Sequence, residues 1–298
     1  MTNSEILVTG STGLSGSIIL RELAERAVPV RALVRDPEKV GELANYPNVE
    51  IFKGDMLKPE SLRDALNGVE RALMISSAQD RMVEAQQSFT DAALRAGVRH
   101  VIKYSGQDSG IGFNAQNFIA GRQHENLEDY LVNSGLAWTI LRPSQFMQYY
   151  LPSTSTGVSL EEKALVLPID QAKLSPVAIE DVAKVCAALL TEDGHEGRIY
   201  EMTGPDALTM TEACEIISRV TKVDFKYVNI SLEEYEDALR IKGAPELAIQ
   251  ILTEISKERM KCVESHVKLT THARFDVRPT NFAEFVYKNV GAFTDQLV

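Results

Sequence analysis

A chain of 298 residues, 44% of them hydrophobic, carries enough apolar material for one large domain or two smaller ones. Its formal net charge of -11 repels phosphate backbones and acidic membrane surfaces, which argues against nucleic acid or membrane as a direct partner. Three widely spaced cysteines without a CxxC make neither a disulfide framework nor a metal site, and with no export signal or long apolar run the expected compartment is the cytoplasm.

In chain order, Ile6-Leu7-Val8 predicts a first strand, followed by a glycine loop and an apolar-periodic helix from about Leu14 to Arg26. Strands follow at Val30–Val34 and Val49–Phe52, and then Pro59 opens and Gly68 closes a helix. Ala72–Ile75 is a fourth strand, Met82–Ala96 a helix ended by Gly97, and His100–Tyr104 a fifth strand. A helix around His124 leads to a sixth strand at Ala137–Leu141. Strands alternating with helices predict an α/β chain built on a Rossmann-type, doubly wound parallel sheet. After Pro143 the rhythm changes: Ile179–Leu190 is one clear helix, Phe225–Ile230 a single strand-like run, and Phe282–Asn289 a last helix. The expected division is a dinucleotide-binding domain over 1–150, to which 176–204 returns. A smaller, mostly helical lobe over 151–175 and 205–298 would cap the substrate.

Directly after the first strand stand Gly10, Ser11, Thr12, Gly13, Leu14, Ser15 and Gly16, a GxxGxxG pattern opening a helix. Gly10 permits a tight turn, Gly13 lets backbone approach a pyrophosphate, and Gly16 lets helix and strand pack closely. The free amides and dipole of the helix then face the anion. At the end of the second strand an acid would select NAD and an arginine NADP. Arg35 occupies that position and its planar fork suits a 2′-phosphate. Asp36 follows it and leaves NAD as the alternative. Further cofactor contacts are expected at the carboxyl ends of the other strands: Asp55 and Met56, Ser76 and Ser77, and Tyr104, Ser105 and Gly106.

Reduction on such a sheet commonly uses Tyr-x-x-x-Lys, and no tyrosine here has a lysine four residues later; Tyr104, for one, is followed by Asp108. Neither a GxSxG elbow nor a metal-type histidine spacing occurs. The candidate catalytic residues are His124 and Tyr104. Helical spacing places His124 on the apolar stripe of Leu127 and Leu131, with Glu128 one turn on and able to bond the ring. Either His124 orients substrate or relays a proton, or it is a structural histidine bonded to Glu128 or to a loop carbonyl. Phe113, Phe118, Gln145, Phe146, Met147, Tyr149 and Tyr150 are expected to wall a pocket for a flat aromatic or quinone, and equally read as core packing. Gln107–Gly110 reads as a polar loop that closes over the site.

The segments GSTGLSG, VRALVRDPEK, FKGDMLKPESLRDALNGVERAL and above all HENLEDYLVNSGLAWTILRPSQFMQ resemble the NmrA-like family of atypical short-chain dehydrogenases. ALTMTEACEIISRVTKVDFKYVNISLEEYEDAL and FAEFVYKNVGAF extend the resemblance over nearly the whole chain. That family includes quinone reductases, a triphenylmethane-dye reductase, plant isoflavone-type reductases and redox-sensing regulators that bind NAD(P) without turnover. The resemblance implies that Gly10–Gly16 and Arg35 hold the dinucleotide. It also places His124 where several members carry a lysine and others a histidine. The implied function is NAD(P)H-dependent reduction of a quinone-like, aromatic or conjugated carbonyl compound by a monomer or homodimer. The alternative is a non-catalytic NAD(P) sensor that binds a regulatory protein partner.

Overall fold

A computed structural model describes residues 5–76, 81–153 and 157–294. Strand β1 (Ile6–Val8) is stopped by Gly10, whose φ of 63° turns the chain into α1 (Leu14–Glu25). Ile19, Leu20, Leu23 and Ala24 form the buried stripe of α1. Next come β2 (Val30–Val34), β3 (Val49–Lys53), a single turn α2 (Arg63–Leu66) and β4 (Arg71–Met74). The helix expected from Pro59 is thus reduced to a 3₁₀ turn followed by α2. Helix α3 (Met82–Ala96) ends at Gly97, whose left-handed conformation (φ 75°) lets its N–H reach the Ala93 and Leu94 carbonyls. Strand β5 (His100–Tyr104), α4 (Ile119–Val132) and β6 (Ala137–Pro143) follow.

These strands, with β9 (Arg198–Met202), make a seven-stranded sheet in the order β3-β2-β1-β4-β5-β6-β9. The pairs β2/β3, β1/β2, β1/β4, β4/β5 and β5/β6 are all parallel. The strand order reverses beside β1, the place where such sheets receive a dinucleotide. Every residue of β2, β4 and β5 is buried, so side chains of both faces are covered.

Between β6 and β9 lie β7 (Val158–Ser159), β8 (Ala164–Leu167) and α5 (Ile179–Thr191). After β9 come α6 (Met210–Thr221), β10 (Lys226–Asn229), α7 (Leu232–Ile241), α8 (Glu246–Arg259), α9 (Thr270–Arg274), α10 (Phe282–Lys288) and α11 (Val290–Phe293). The chain forms two compact units. The first comprises residues up to Ser105, Gln123–Arg142 and Glu180–Tyr200, with Leu7, Leu33, Leu66, Met74, Phe89, Val101 and Leu131 at its core. The second holds Gly106–Arg122, Pro143–Ile179 and the residues from Glu201 on. Residues 106–122 and 143–150 therefore pack with the second unit, not with the first as the sequence suggests.

The second unit also contains a small sheet that the sequence reading lacks, β10-β8-β7, with β8 parallel to β10 and antiparallel to β7. β10 falls within the expected run Phe225–Ile230, but β7 and β8, two and four residues long, are too short for a period-2 pattern to stand out. Phe225, Phe282, Phe285 and Phe293 dominate its core. Thr209, Ser231 and Asn281 each open a helix with a reciprocal capping box to a glutamate three residues on.

Candidate active site

The glycine loop is shaped by backbone contacts. A Cβ on Gly10 would sit 2.9 Å from the Ile75 carbonyl oxygen, and one on Gly16 would sit 2.1 Å from the Gly10 oxygen. Only glycine allows α1 to lie that close to β1. Gly13, at the N-terminus of α1, is exposed, and no side chain caps the helix there and no acid stands in its first turn. The leading amides, which have no acceptor within a helix, are left for an anion. Ser11 contributes no hydroxyl, because its Oγ donates to the Val8 carbonyl at 2.8 Å.

At the tip of β2, Arg35 is exposed, whereas the Asp36 carboxylate accepts the Glu38 N–H at 3.2 Å and caps the following turn. Asp36 is thereby engaged, and the guanidinium beside it remains available for a phosphate. Asp55 folds back on its own loop, its Oδ1 accepting the Leu57 N–H at 3.0 Å, and Met56 packs on the core of the first unit. Ser77 lies outside the described residues. This arrangement of bare amides, close glycines and a free guanidinium fits a dinucleotide that carries an extra phosphate.

From the loop a continuous chain of polar contacts runs into the sheet. Thr9 Oγ1 donates to the Ile75 carbonyl at 2.7 Å and accepts the Ile75 N–H at 2.8 Å, which locks the end of β4 to the end of β1. The next residue, Ser76, accepts a hydrogen bond from Gln86 Nε2 at 2.7 Å. Gln86 Oε1 in turn accepts from Lys103 Nζ at 2.9 Å. Lys103 Nζ lies 3.4 Å from His124 Nδ1, and Ser105 Oγ lies 3.3 Å from the same nitrogen. Ser105 donates to Glu128, which also accepts Arg142 Nε at 3.1 Å. Gln86, Lys103, Ser105 and Glu128 are all buried, and His124 is half-buried.

The local folding reasons are periodicities. Lys103 on β5 and Ser105 just beyond its end are two residues apart on extended chain and share one face, so both meet α4. Residues 124 and 128 are one turn apart on α4 and face the strand together. Burial, against the pull of the Glu128 charge, brings the Lys103 ammonium down to about 7. Burial and the Lys103 charge bring His124 down to about 3, so its ring is neutral at any physiological pH.

Several sequence expectations are revised. Tyr104 is buried and, by strand alternation, faces away from Lys103 and Ser105; the structure does not bring it together with His124. Glu128 does not hold the imidazole, since Ser105 and Arg142 take its oxygens. Gly106 continues from β5 with its N-terminal neighbour Ser105 in the site, but itself belongs to the second unit. In that unit Met147 and Tyr150 are core residues, Tyr150 stacking edge-on against Phe282 at 4.8 Å, and so are not ligand walls. Phe113 and Phe118 form a T-shaped pair at 5.4 Å, and Phe146 pairs with the exposed Tyr149 at 5.7 Å. Gln145 is buried and bonded to Ser109. The 107–110 loop is pinned: Asp108 pairs with Arg259 at 2.7 Å, Ser109 Oγ accepts the Ser175 N–H at 2.9 Å, and Gly110 bridges to Ser265. Polar residues here satisfy buried partners instead of facing water.

Lys103, Gln86 and Arg142 were missed. A lysine inside an otherwise apolar strand (His100-Val-Ile-Lys-Tyr) was the available signal, since a strand covered on both faces has no solvated position.

The chain is similar over nearly its whole length to several known reductases. An NAD(P)H azoreductase of Xenophilus azovorans is 32% identical over 97% of this chain and 99% of its own. The Citrobacter sp. triphenylmethane reductase, solved with NADP(H), superposes with a TM-score of 0.81 at 27% identity, covering 96% of this chain and 99% of that one. The NADPH-dependent quinone oxidoreductase QOR2 of Escherichia coli, solved with NADPH, gives a TM-score of 0.82 at 26% identity, covering 95% and 99%. A model of the NmrA-like family matches residues 2–286, and the chain belongs to that family.

Proposed function

We propose that the chain is an NAD(P)H-dependent reductase of quinone-like, azo or other conjugated aromatic acceptors, with NADPH as its preferred cofactor. The observation that carries this reading is the buried array Gln86–Lys103–His124–Ser105–Glu128, reached from the glycine loop through Thr9, Ile75 and Ser76. A nucleotide-binding module with no chemistry to perform has no need of a buried lysine beside a neutral histidine. The Leu14–Gly16 amides would hold the pyrophosphate, the Gly13 N–H being taken by the Gly10 carbonyl at 3.0 Å, and Arg35 would hold the 2′-phosphate. When bound, the nicotinamide supplies hydride.

What the protein adds is orientation and charge control. Glu128, fixed by Arg142, orients Ser105. Lys103 and Ser105 fix the plane of His124. The neutral imidazole then offers an N–H to the oxygen or nitrogen on which negative charge develops as the acceptor is reduced. The second unit by itself carries two aromatic pairs, Phe113–Phe118 and Phe146–Tyr149, of the kind that stacks flat rings. We also assign the protein to the cytoplasm: its three cysteines are free and buried, and among the described residues no helix is long and apolar enough to cross a membrane.

The test is oxidation of NADPH followed by absorbance with quinones, azo dyes and triphenylmethane dyes, beside calorimetry with NADPH and NADH. Turnover of at least one class, with NADPH bound more tightly than NADH, is expected. Binding without turnover across the panel would favour a sensor, and absence of binding would overturn the whole reading.

A further inference from the structure

Resting on the reductase reading, we propose that Lys103 is the positioning residue that supplies the proton His124 passes on, with Ser105 receiving the imidazole afterwards. The geometry at His124 Nδ1 points to this. That nitrogen has a donor on one side, Lys103 Nζ at 3.4 Å, and a hydroxyl on the other, Ser105 Oγ at 3.3 Å. Ser105 has one proton, and it is given to Glu128. Toward His124, therefore, Ser105 only accepts. Nδ1 thus has a partner in either tautomer: as a bare nitrogen it accepts from Lys103, and as an N–H it donates to Ser105.

These two states are the start and end of a proton transfer. With Lys103 charged, its N–H points to Nδ1 and the ring proton sits on Nε2. Once hydride has reached the acceptor, the reduced anion takes the Nε2 proton. Nδ1 then takes a proton from Lys103, which becomes a neutral amine. The new Nδ1–H bonds Ser105, and Nε2 is left bare. After the product leaves, Nε2 takes a proton from water, Nδ1 returns its own to Lys103, and the array is reset. One hydride and one solvent proton account for the reduced acceptor.

Lys103 is suited to this by what surrounds it. It is fully buried, and the groups facing it are neutral Gln86 from α3, His124 and Glu128 from α4, and Ser105 just past its own strand. Glu128 is saturated by Ser105 and by Arg142 of β6, so it holds the ammonium by field and not by a direct bond. A buried ammonium bonded only to neutral groups gives up its proton near neutrality, and its value of about 7 agrees.

The direct test is the ¹⁵N spectrum of the His124 ring in the nucleotide-free protein. Between pH 6 and pH 9 the ring should switch from the Nε2–H to the Nδ1–H tautomer, with a midpoint near that of Lys103. In Lys103→Met the tautomer should no longer depend on pH, and kcat for acceptor reduction should fall about 10²-fold or more with KM for NADPH unchanged. Lys103→Arg, a donor that never deprotonates, should hold Nε2–H at every pH without restoring turnover. A wild-type tautomer that is the same at both pH values, or a Lys103→Met variant with wild-type kcat, would overturn the proposal. The wild-type titration decides even if the variants do not fold. Failure of the wild type to oxidise NADPH would instead remove the reductase reading, and the tautomer result stands apart from it.

Discussion

Replacing Lys103 by methionine should flatten the dependence of stability on pH above neutrality. In the folded chain this ammonium titrates near 7 against 10.5 when free, because it is wholly buried. A base whose folded value is depressed binds fewer protons folded than unfolded between those two values. Stability therefore rises with pH through that window, at up to about 1.4 kcal/mol per pH unit. Below about 7 both states carry the charge and the full cost of burying it is present. Integrating the two titrations from pH 7 to pH 9 gives a rise of about 2 kcal/mol for the wild type. Methionine has similar length and no charge, so that share of the rise should vanish in Lys103→Met. Urea denaturation of both proteins at pH 7, 8 and 9 reads the difference directly, and other titrating groups cancel in the comparison. Parallel pH profiles would show that Lys103 stays charged in the fold through this range. They would refute the argument that burial without a direct carboxylate partner loosens its proton.

The remaining expectations concern the loop and the array. Gly16→Ala places a methyl 2.1 Å from the Gly10 oxygen and must push α1 from β1, costing about 1–3 kcal/mol in thermal or chemical denaturation. Gly13→Ala meets only the Gly10 oxygen, at 3.2 Å, so it should cost less stability than Gly16→Ala while weakening NADPH in calorimetry. Arg35→Ala should weaken NADPH about 10–100-fold, the value of a charge-assisted phosphate contact, and leave NADH untouched; equal losses for both would remove Arg35 from the phosphate. Arg142→Met strands the buried Glu128 carboxylate and should destabilise by about 1–3 kcal/mol, whereas Glu128→Gln in the same background should recover part of that loss in denaturation measurements.

The strands and helices of the first unit were legible because their signals are local. Period-2 and period-3.6 apolar runs, Gly97 as a left-handed cap and the Gly10–Gly16 spacing each depend on residues a few positions apart. The position of Arg35 just past β2, with Asp36 after it, was legible for the same reason, whereas the engagement of Asp36 with the Glu38 N–H came from the fold. The short strands β7 and β8 were not, since two to four residues carry no period.

The array around His124 could not be read in this way. Its inward face and its spacing to Glu128 follow from the helix, but the partner of the ring does not. Helical geometry offers Glu128, and the folded chain supplies Lys103 and Ser105 instead, from a strand some twenty residues earlier. Lys103 stands out in the sequence only as a lysine in an apolar strand; its partners appear when β4 and β6 flank β5 and α3 and α4 cover that face. Where the chain coils, extends and turns rests on neighbours along the backbone, and so could be read from residue order alone. Which charges are stripped of water was settled only when strands and helices distant in sequence closed around them.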